Sequence, residues 1–328
     1  EIYSPRQWQV FQRQSRDEGM FLLSGHVHVD ADAVEYRVTG KALDGELKAI
    51  WKKVPFDVKA SRFSVQLPLA AGGWYRLETR AMKDGEIVAD SVVENVGMGE
   101  VFVGAGQSNS TNCGQFKTKQ TTGMVSSFSG SDWQLADDPQ PGPHDNTQGG
   151  SFWPAFGDAM YEKYGVPIGV AVTGHGGTST NQWQPDHDLG LFPWTLNRIN
   201  QLGPNGFRAV LWHQGESDVL NRMSSEEYAL KLENVINQMH KAAGWDFPWF
   251  VAHVSYINPS WTSDDAIRNG QKLLWDEKIA LEGPDTDTLM GDNRDYEGKG
   301  IHFSPKGLEA HGQMWAEKVG VWLDPLLK

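Results

Sequence analysis

The stretch that decides the fold is Val101-Phe102-Val103-Gly104-Ala105-Gly106-Gln107-Ser108-Asn109. It opens with a short, continuously apolar run, which is typical of a strand buried on both faces of a sheet. Two glycines then permit a sharp turn with unusual backbone angles. Such a turn presents the hydroxyl of Ser108 at the end of the strand, which makes this serine a candidate nucleophile. The alternative is an ordinary loop of glycine, serine and asparagine.

Strand and helix patterns alternate beyond this stretch. Short apolar runs recur at 168–172, 209–212 and 249–252. The clearest helical pattern spans about 225–243, where Ser224 and Glu227 form a capping box ahead of an apolar face. A final helix is predicted to start near Pro305, with Ser304 as its N-cap. The alternation predicts a parallel sheet with helices on both faces, in which ligands bind beyond the carboxyl ends of the strands.

Residues 1–97 show a different pattern. Segments 34–38 and 63–67 alternate with period two, Lys83-Asp84-Gly85 is typical of a hairpin turn, and no helical pattern is convincing. We therefore expect a small all-β, sandwich-like accessory domain over 1–97, followed by an α/β catalytic domain over 98–328.

Composition excludes several classes of protein. The 42 acidic residues outnumber the 29 basic ones, and the net charge of -13 argues against a nucleic-acid partner, since phosphate binding needs a basic surface. No apolar run approaches the roughly 20 residues of a membrane span. With Cys113 as the only cysteine, no internal disulfide is possible. Because the chain begins at Glu1, we expect a mature periplasmic or secreted protein whose signal peptide has been removed.

Two further segments follow predicted strands and carry chemistry. In 174–179 (Gly-His-Gly-Gly-Thr-Ser), backbone amides of a glycine-rich loop can point at a developing anion, although a mobile turn is the alternative. In 214–218 (Gln-Gly-Glu-Ser-Asp), the Gln214 amide can donate to an oxyanion. The carboxylates of Glu216 and Asp218 can act as acids, helix caps or loop ties.

Ile301-His302-Phe303-Ser304 lies just before the last helix, where a histidine is well placed to be oriented. Considered alone, His302 is more typical of a structural residue. The sequence contains no Walker motif, no dinucleotide-binding fingerprint and no His-Glu-x-x-His metal site.

Together these segments resemble the SGNH hydrolases, and within them the sialate O-acetylesterase-like and plant-type carbohydrate acetylesterase group. The resemblance covers about 98–328 and is carried by four blocks in the expected order: Gly106-Gln107-Ser108-Asn109, Gly176-Gly177-Thr178-Ser179 with Trp183, Gln214-Gly215-Glu216-Ser217-Asp218 and Ile301-His302-Phe303-Ser304. It implies a three-layer, flavodoxin-like fold, a serine nucleophile and no metal or other cofactor. It also implies removal of acetyl groups from a sugar or polysaccharide of the xylan, pectin or sialic acid type.

The resemblance also implies roles for individual residues. Ser108 attacks the acetyl carbonyl and His302 acts as general base. The oxyanion is expected to be held by the amides of Ser108 and Gly177 and by the side chain of Gln214.

One departure concerns the acid that orients the histidine. Relatives carry an aspartate three residues before the histidine, where this chain has Lys299. The residues leave three supports open: Glu216 from the neighbouring strand end, Asp295 or Glu297 folding back within the histidine loop, or a backbone carbonyl. Of these supports, we favour Glu216.

The chain has 14 tryptophans, and aromatic rings can stack on sugars. Trp153 and Trp183 fall near the proposed blocks, so we expect one of them to bind substrate, with packing in the core as the alternative. Asn109 is a further candidate substrate contact. The glycosylation sequon Asn109-Ser110-Thr111 is read as coincidental, because a glycan there would bury the site.

Two other functions remain open. Lys299 and the tryptophan content favour a catalytically impaired carbohydrate-binding protein. A lipase-like or broad short-chain esterase would need a large apolar cleft. The polar loop residues argue against that cleft: Thr178, Asn181, Gln182, Gln184 and Asp186.

Overall fold

A computed structural model describes residues 1–328, and the first part of the chain consists of strands alone. These are β1 (Ile2–Ser4), β2 (Val10–Gln12), β3 (Glu18–His26), β4 (Ala33–Thr39), β5 (Lys41–Ala42), β6 (Gly45–Glu46), β7 (Lys52–Val54), β8 (Arg62–Ala70), β9 (Gly72–Lys83) and β10 (Glu86–Gly106). No helix precedes Ser108, as the short alternating segments predict.

Beyond β10, strands alternate with helices. The strands are β11 (Val125–Phe128), β12 (Trp133–Leu135), β13 (Ile168–Val172), β14 (Ala209–His213), β15 (Trp249–His253) and β16 (Leu281–Asp285). The helices are α1 (Trp153–Tyr164), α2 (Leu191–Leu202), α3 (Glu216–Leu220), α4 (Ser225–Ala243), α5 (Asp265–Asp276), α6 (Asp295–Gly298) and α7 (Pro305–Leu323). None of these helices is both long and apolar enough to cross a membrane.

Two of the predicted helices are confirmed with their caps. Ser224 accepts a hydrogen bond from the Glu227 amide at 3.2 Å at the start of α4. Ser304 accepts one from the Gly307 amide at 3.2 Å at the start of α7. Each hydroxyl satisfies an amide that has no partner within its helix.

The order of the strands places the carboxyl ends of three central strands side by side. Along the sheet the order is β12-β11-β13-β10-β14-β15-β16. Every neighbouring pair in this row is parallel except β12 with β11. The loops that follow β13, β10 and β14 therefore meet at one edge, where parallel sheets bind ligands.

Alternate residues of β10 pack into two different cores. Phe102 lies in a core with Phe156 of α1 and Trp315 of α7. Val101 and Val103 lie in a second core, with residues of α2, α4 and α5. The second part of the chain is thus a mixed α/β structure around a large mixed sheet, and the buried strands explain the continuously apolar runs.

Strand β10 also joins the two parts of the chain without a linker. Its first half pairs with β9 and its last residues pair with β13 and β14, so position 97 falls inside one strand. Phe21 and Leu77 of the first part share a core with Phe102 and Trp315. The sandwich-like accessory domain over 1–97 stays a prediction, and its proposed boundary lies within a continuous core.

A buried charge cluster reinforces this junction. Glu100 is fully buried, and its carboxylate accepts from Arg13 Nε at 2.7 Å and from Arg208 Nε at 2.7 Å. Gln12 donates a further hydrogen bond to Glu100 at 2.8 Å. The cluster ties β2 to β10 and to the segment before β14, since every charged group in it has an opposite partner.

Candidate active site

Three hydrogen bonds bring the four sequence blocks together around the end of β10. The His175 amide donates to Gly106 O at 3.0 Å, and the Gln107 amide donates to His213 O at 3.0 Å. Asn109 Nδ2 donates to Ile301 O at 3.2 Å, which ties the loop of Ser108 to the loop of His302. The predicted meeting of the blocks at one edge is observed.

The turn before Ser108 requires glycine. Gly106 has φ +126°, and a Cβ there would lie 2.1 Å from the carbonyl oxygen of His213. The turn leads into a 3-10 helix over Ser108–Ser110. Ser108 stands at its first position, where the amide has no partner within the helix and is free to bind an anion.

The glycine loop after β13 packs directly against the nucleophile candidate. A Cβ at Gly176 would lie 3.5 Å from Ser108 Cβ. Gly177 has φ +70°, open space around it, and an amide that donates no hydrogen bond within the protein. The Gly177 amide is therefore without a partner in the protein, and its role as an oxyanion donor stays a prediction.

The carboxylate beside His302 is Asp295. Its Oδ2 lies 3.7 Å from His302 Nδ1, with the Asp295 side chain 4% exposed and that of His302 29% exposed. The Asp295 amide also donates to His302 O at 3.0 Å. Lys299 points away, with its ammonium 3.7 Å from Glu297 at the surface. Of the two loop acids considered from the sequence, Asp295 therefore reaches the histidine and Glu297 does not.

A tight reversal of the chain makes this contact. Tyr296 and Glu297 both adopt left-handed angles, with φ 48° and 58°, followed by Gly298 at φ 82°. A Cβ on Gly300 would lie 1.7 Å from Asp295 Oδ1, so only glycine leaves room for the carboxylate. Left-handed angles are costly for residues with side chains, and such strain is often found at functional sites.

Arg294 anchors the histidine loop and was missed by the sequence reasoning. Its guanidinium donates to the carbonyl oxygens of Leu289, Ile301 and Thr286 at 2.6, 2.8 and 3.0 Å. Burial lowers the pKa of His302 below the ordinary 6.5, the Arg294 charge lowers it further and Asp295 opposes the fall. The imidazole is therefore neutral at pH 7 and able to accept a proton.

The expectation that Glu216 orients His302 is wrong. Glu216 is 1% exposed, and its Oε1 accepts from Asn109 Nδ2 at 2.9 Å. Its other oxygen has no partner, and burial raises the pKa of this carboxyl to about 7. Glu216 supports the loop of Ser108 through Asn109. Asn109 is itself buried, with its amide nitrogen shared between Glu216 and Ile301, so its role is positioning and not substrate contact.

The expectation that the Gln214 side chain donates to the oxyanion is also wrong. Its Nε2 donates to Asp218 Oδ2 at 2.5 Å and to Thr178 O at 3.1 Å. A primary amide has only two N–H groups, so neither remains for an oxyanion. The sequence left Asp218 open as an acid, a helix cap or a residue that links loops. Its carboxylate accepts from Gln214 and from the Thr180 amide, so it links this loop to the glycine loop.

The expectation that Trp153 or Trp183 contacts substrate is wrong for both. Each is completely buried. The Trp153 indole donates to Ser110 O at 3.0 Å, and the Trp183 indole donates to Thr178 Oγ1 at 3.0 Å. They pack beneath the two loops and hold them in place, which is the alternative left open from the sequence.

Comparisons with known proteins match the chain to one family and to several solved structures. Residues 98–320 match the model of a carbohydrate esterase family described as sialic acid-specific acetylesterase. A carbohydrate acetylesterase from Xanthomonas citri is 19% identical with TM-score 0.59, covering 95% of this chain and 72% of that one. A protein from Arabidopsis thaliana is 18% identical with TM-score 0.55, covering 69% of this chain and 98% of that one. A search of curated proteins found no match.

The two structural likenesses show a shared fold. The family match covers more than half of the chain and includes every block around Ser108 and His302. The chain belongs to the carbohydrate esterase family of sialic acid-specific acetylesterases, and it is a carboxylic ester hydrolase.

Proposed function

We propose that the chain is a serine-dependent carbohydrate O-acetylesterase, with Ser108 as nucleophile, His302 as general base and Asp295 as the positioning carboxylate. The observation that carries the proposal is the 3.7 Å approach of Asp295 Oδ2 to His302 Nδ1, in the loop tied to that of Ser108. A carboxylate on this side keeps the proton on Nδ1 and leaves Nε2 as the base. Contacts of this kind are often long without substrate and tighten in the complex.

The reaction is acyl transfer in two halves. His302 takes the proton of Ser108 as its oxygen attacks the acetyl carbonyl, and then gives that proton to the departing sugar oxygen. Water next attacks the acetyl-serine, His302 takes a proton from the water and returns it to Ser108, and acetate leaves. The amides of Ser108 and Gly177 hold the oxyanion in both halves, and each such donor typically lowers the barrier by about 3–4 kcal/mol.

The carbohydrate substrate is supported by the family and by the polarity of the site. The family description names sialic acid, and the loop beyond the glycines carries Asn181, Gln182 and Asp186 at or near the surface. Polar side chains suit sugar hydroxyls better than a long acyl chain. Xylan, pectin and sialic acid esters are the substrates to compare.

The proposal is tested by acetate release from acetylated xylan, acetylated pectin and O-acetylated sialic acid, together with p-nitrophenyl acetate. A fluorophosphonate should label Ser108, as read by peptide mass spectrometry. Ser108→Ala should keep the circular dichroism spectrum and lose nearly all activity. Retention of roughly a tenth of kcat would make the nucleophile assignment wrong, because loss of such a residue costs far more.

Other outcomes identify the rival functions. A wild-type chain that turns over none of these esters is a carbohydrate-binding protein. Faster hydrolysis of p-nitrophenyl octanoate than of the acetate ester indicates a lipase-like esterase.

A further inference from the structure

A second group of side chains lies against the nucleophile loop and has no part in the acyl-transfer steps. It consists of His144, His175 and Trp194, which we call the histidine–tryptophan face. His144 comes from the segment before α1, His175 from the glycine loop after β13, and Trp194 from the first turn of α2. Three distant parts of the chain therefore converge at one place.

The histidine–tryptophan face adjoins Ser108. The His144 amide donates to Gly174 O at 2.9 Å and the His175 amide to Gly106 O at 3.0 Å, so both histidines are fixed by backbone to the loops of the site. Gly176, the residue after His175, is close to both, since a Cβ there would stand 3.2 Å from Oδ2 of Asp145, the residue after His144, and 3.5 Å from Ser108 Cβ. The loops that carry the two histidines therefore adjoin the loop of Ser108.

The two imidazoles form a hydrogen-bonded pair. His144 Nδ1 and His175 Nδ1 are 2.7 Å apart, a distance that requires one nitrogen to donate and the other to accept. Burial lowers the pKa of His144, and the neighbouring His175 lowers it further, which favours the neutral form of His144.

When both rings are neutral, this contact requires them to be opposite tautomers. The ring that donates from Nδ1 has an acceptor at Nε2, and the ring that accepts at Nδ1 has a donor at Nε2. The only side-chain hydrogen bond of either ring is the one between the two Nδ1 atoms, so neither Nε2 has a partner within the protein. The pair thus offers one donor and one acceptor, which matches neighbouring sugar hydroxyls, since each hydroxyl both donates and accepts.

Trp194 supplies an apolar surface next to the pair. Trp194 is 40% exposed to solvent. Its indole Nε1 donates a hydrogen bond to Gly142 O at 3.0 Å. The indole meets the His144 ring edge-on, at 5.2 Å between centroids and 90° between planes. The ring is held in orientation and still meets solvent, unlike the buried Trp153 and Trp183. An aromatic face of this kind suits the C–H face of a pyranose.

We propose that His144, His175 and Trp194 form the subsite that binds the pyranose carrying the scissile acetyl ester, with the imidazole pair on its hydroxyls and the indole on its C–H face. This inference rests on the proposed function and adds the residues that select a sugar over a simple acetate ester. The chemical class it predicts is a pyranoside with free hydroxyls next to the acetylated position.

The test compares KM on a carbohydrate with KM on p-nitrophenyl acetate, which has no pyranose. Trp194→Ala should raise KM for the best hydrolysed of acetylated xylan, acetylated pectin and O-acetylated sialic acid by roughly tenfold. The increase in KM for p-nitrophenyl acetate should be clearly smaller. His144→Asn keeps an amide near the Nδ1 position and removes Nε2, so it should raise KM for the carbohydrate more than KM for p-nitrophenyl acetate. Trp194→Phe should restore much of the affinity.

Trp51→Ala is the matched control, because Trp51 packs between Arg37 and Arg80 in the N-terminal part, at 4.7 and 4.1 Å from their guanidinium carbons. It should leave both KM values unchanged. Equal losses on both substrates in the Trp194 and His144 variants, or no change on the carbohydrate, would overturn the subsite. Failure of the wild-type chain to release acetate from any carbohydrate would instead refute the proposed function.

Discussion

Asp295 Oδ2 lies 3.7 Å from His302 Nδ1 even though the position three residues before the histidine is held by Lys299. The chain reaches this geometry by a reversal through Tyr296 and Glu297, both in left-handed conformations. The imidazole therefore has a carboxylate partner that the usual spacing does not reveal.

Asp295→Asn should lower kcat for acetyl esters by about 10²–10⁴, with KM nearly unchanged, because the tautomer of His302 is no longer held. The acidic limb of the pH–rate profile reports the His302 pKa, which burial places below 6.5. Since Asp295 raises this pKa, its removal should move the limb to lower pH. Glu216→Gln is the matched comparison and should leave the limb in place. If the acidic limb moved in the Glu216 variant and not in the Asp295 variant, Glu216 would be the residue that positions His302.

Glu216→Gln should change how stability depends on pH. The folded protein raises the pKa of Glu216 from 4.5 to about 7, so the folded state binds more protons than the unfolded state within that window. Stability is therefore lost as pH rises from 4.5 to about 7, on the order of 3 kcal/mol for such a shift. The glutamine variant lacks this titration and should gain on the wild type as pH rises. Urea unfolding at pH 5 and pH 8 measures the difference, and parallel curves for the two proteins would contradict it.

Gly300→Ala should reduce kcat at least about tenfold, because orientation of the base is worth this much or more. The new Cβ would stand 1.7 Å from Asp295 Oδ1 and displace the carboxylate from His302. The acidic limb should move to lower pH, as in Asp295→Asn. Lys299→Ala in the same loop removes a side chain that is 75% exposed and should retain wild-type kinetics. Wild-type kcat in the Gly300 variant would show that the carboxylate does not position the base.

Glu100→Gln should cost about 3–5 kcal/mol of unfolding free energy, the usual effect of leaving a buried charge without its partner. Arg13, 1% exposed, loses its counter-ion, as does Arg208. Asp132→Asn is the control, because its pair with Arg6 is 73% and 55% exposed and such pairs contribute about 0–1 kcal/mol. Chemical denaturation of both variants at neutral pH checks the contrast. A loss below 1 kcal/mol for Glu100→Gln would show that the cluster does not hold the junction.

Local sequence patterns were enough to predict the main helices and strands. They were also enough to predict that the four sequence blocks meet at one edge of the sheet. The apolar run into Gly106 predicts a buried strand and a turn at Ser108, and the caps Ser224 and Ser304 predict where α4 and α7 begin. These features depend on residues close together in the chain, where steric rules and hydrogen bonds act directly. The order of blocks along parallel strands also brings them to one edge for any arrangement of neighbouring strands.

Only the tertiary structure decided which side chains do what at that edge. Glu216 and Asp295 were both candidates for the histidine, and the choice depends on a loop reversal that no spacing rule describes. Likewise, Trp153 and Trp183 are buried whereas Trp194 is exposed. The physical reason is that sequence patterns specify the local backbone, whereas contacts between distant side chains depend on the path of each loop and on which polar partners reach a group first.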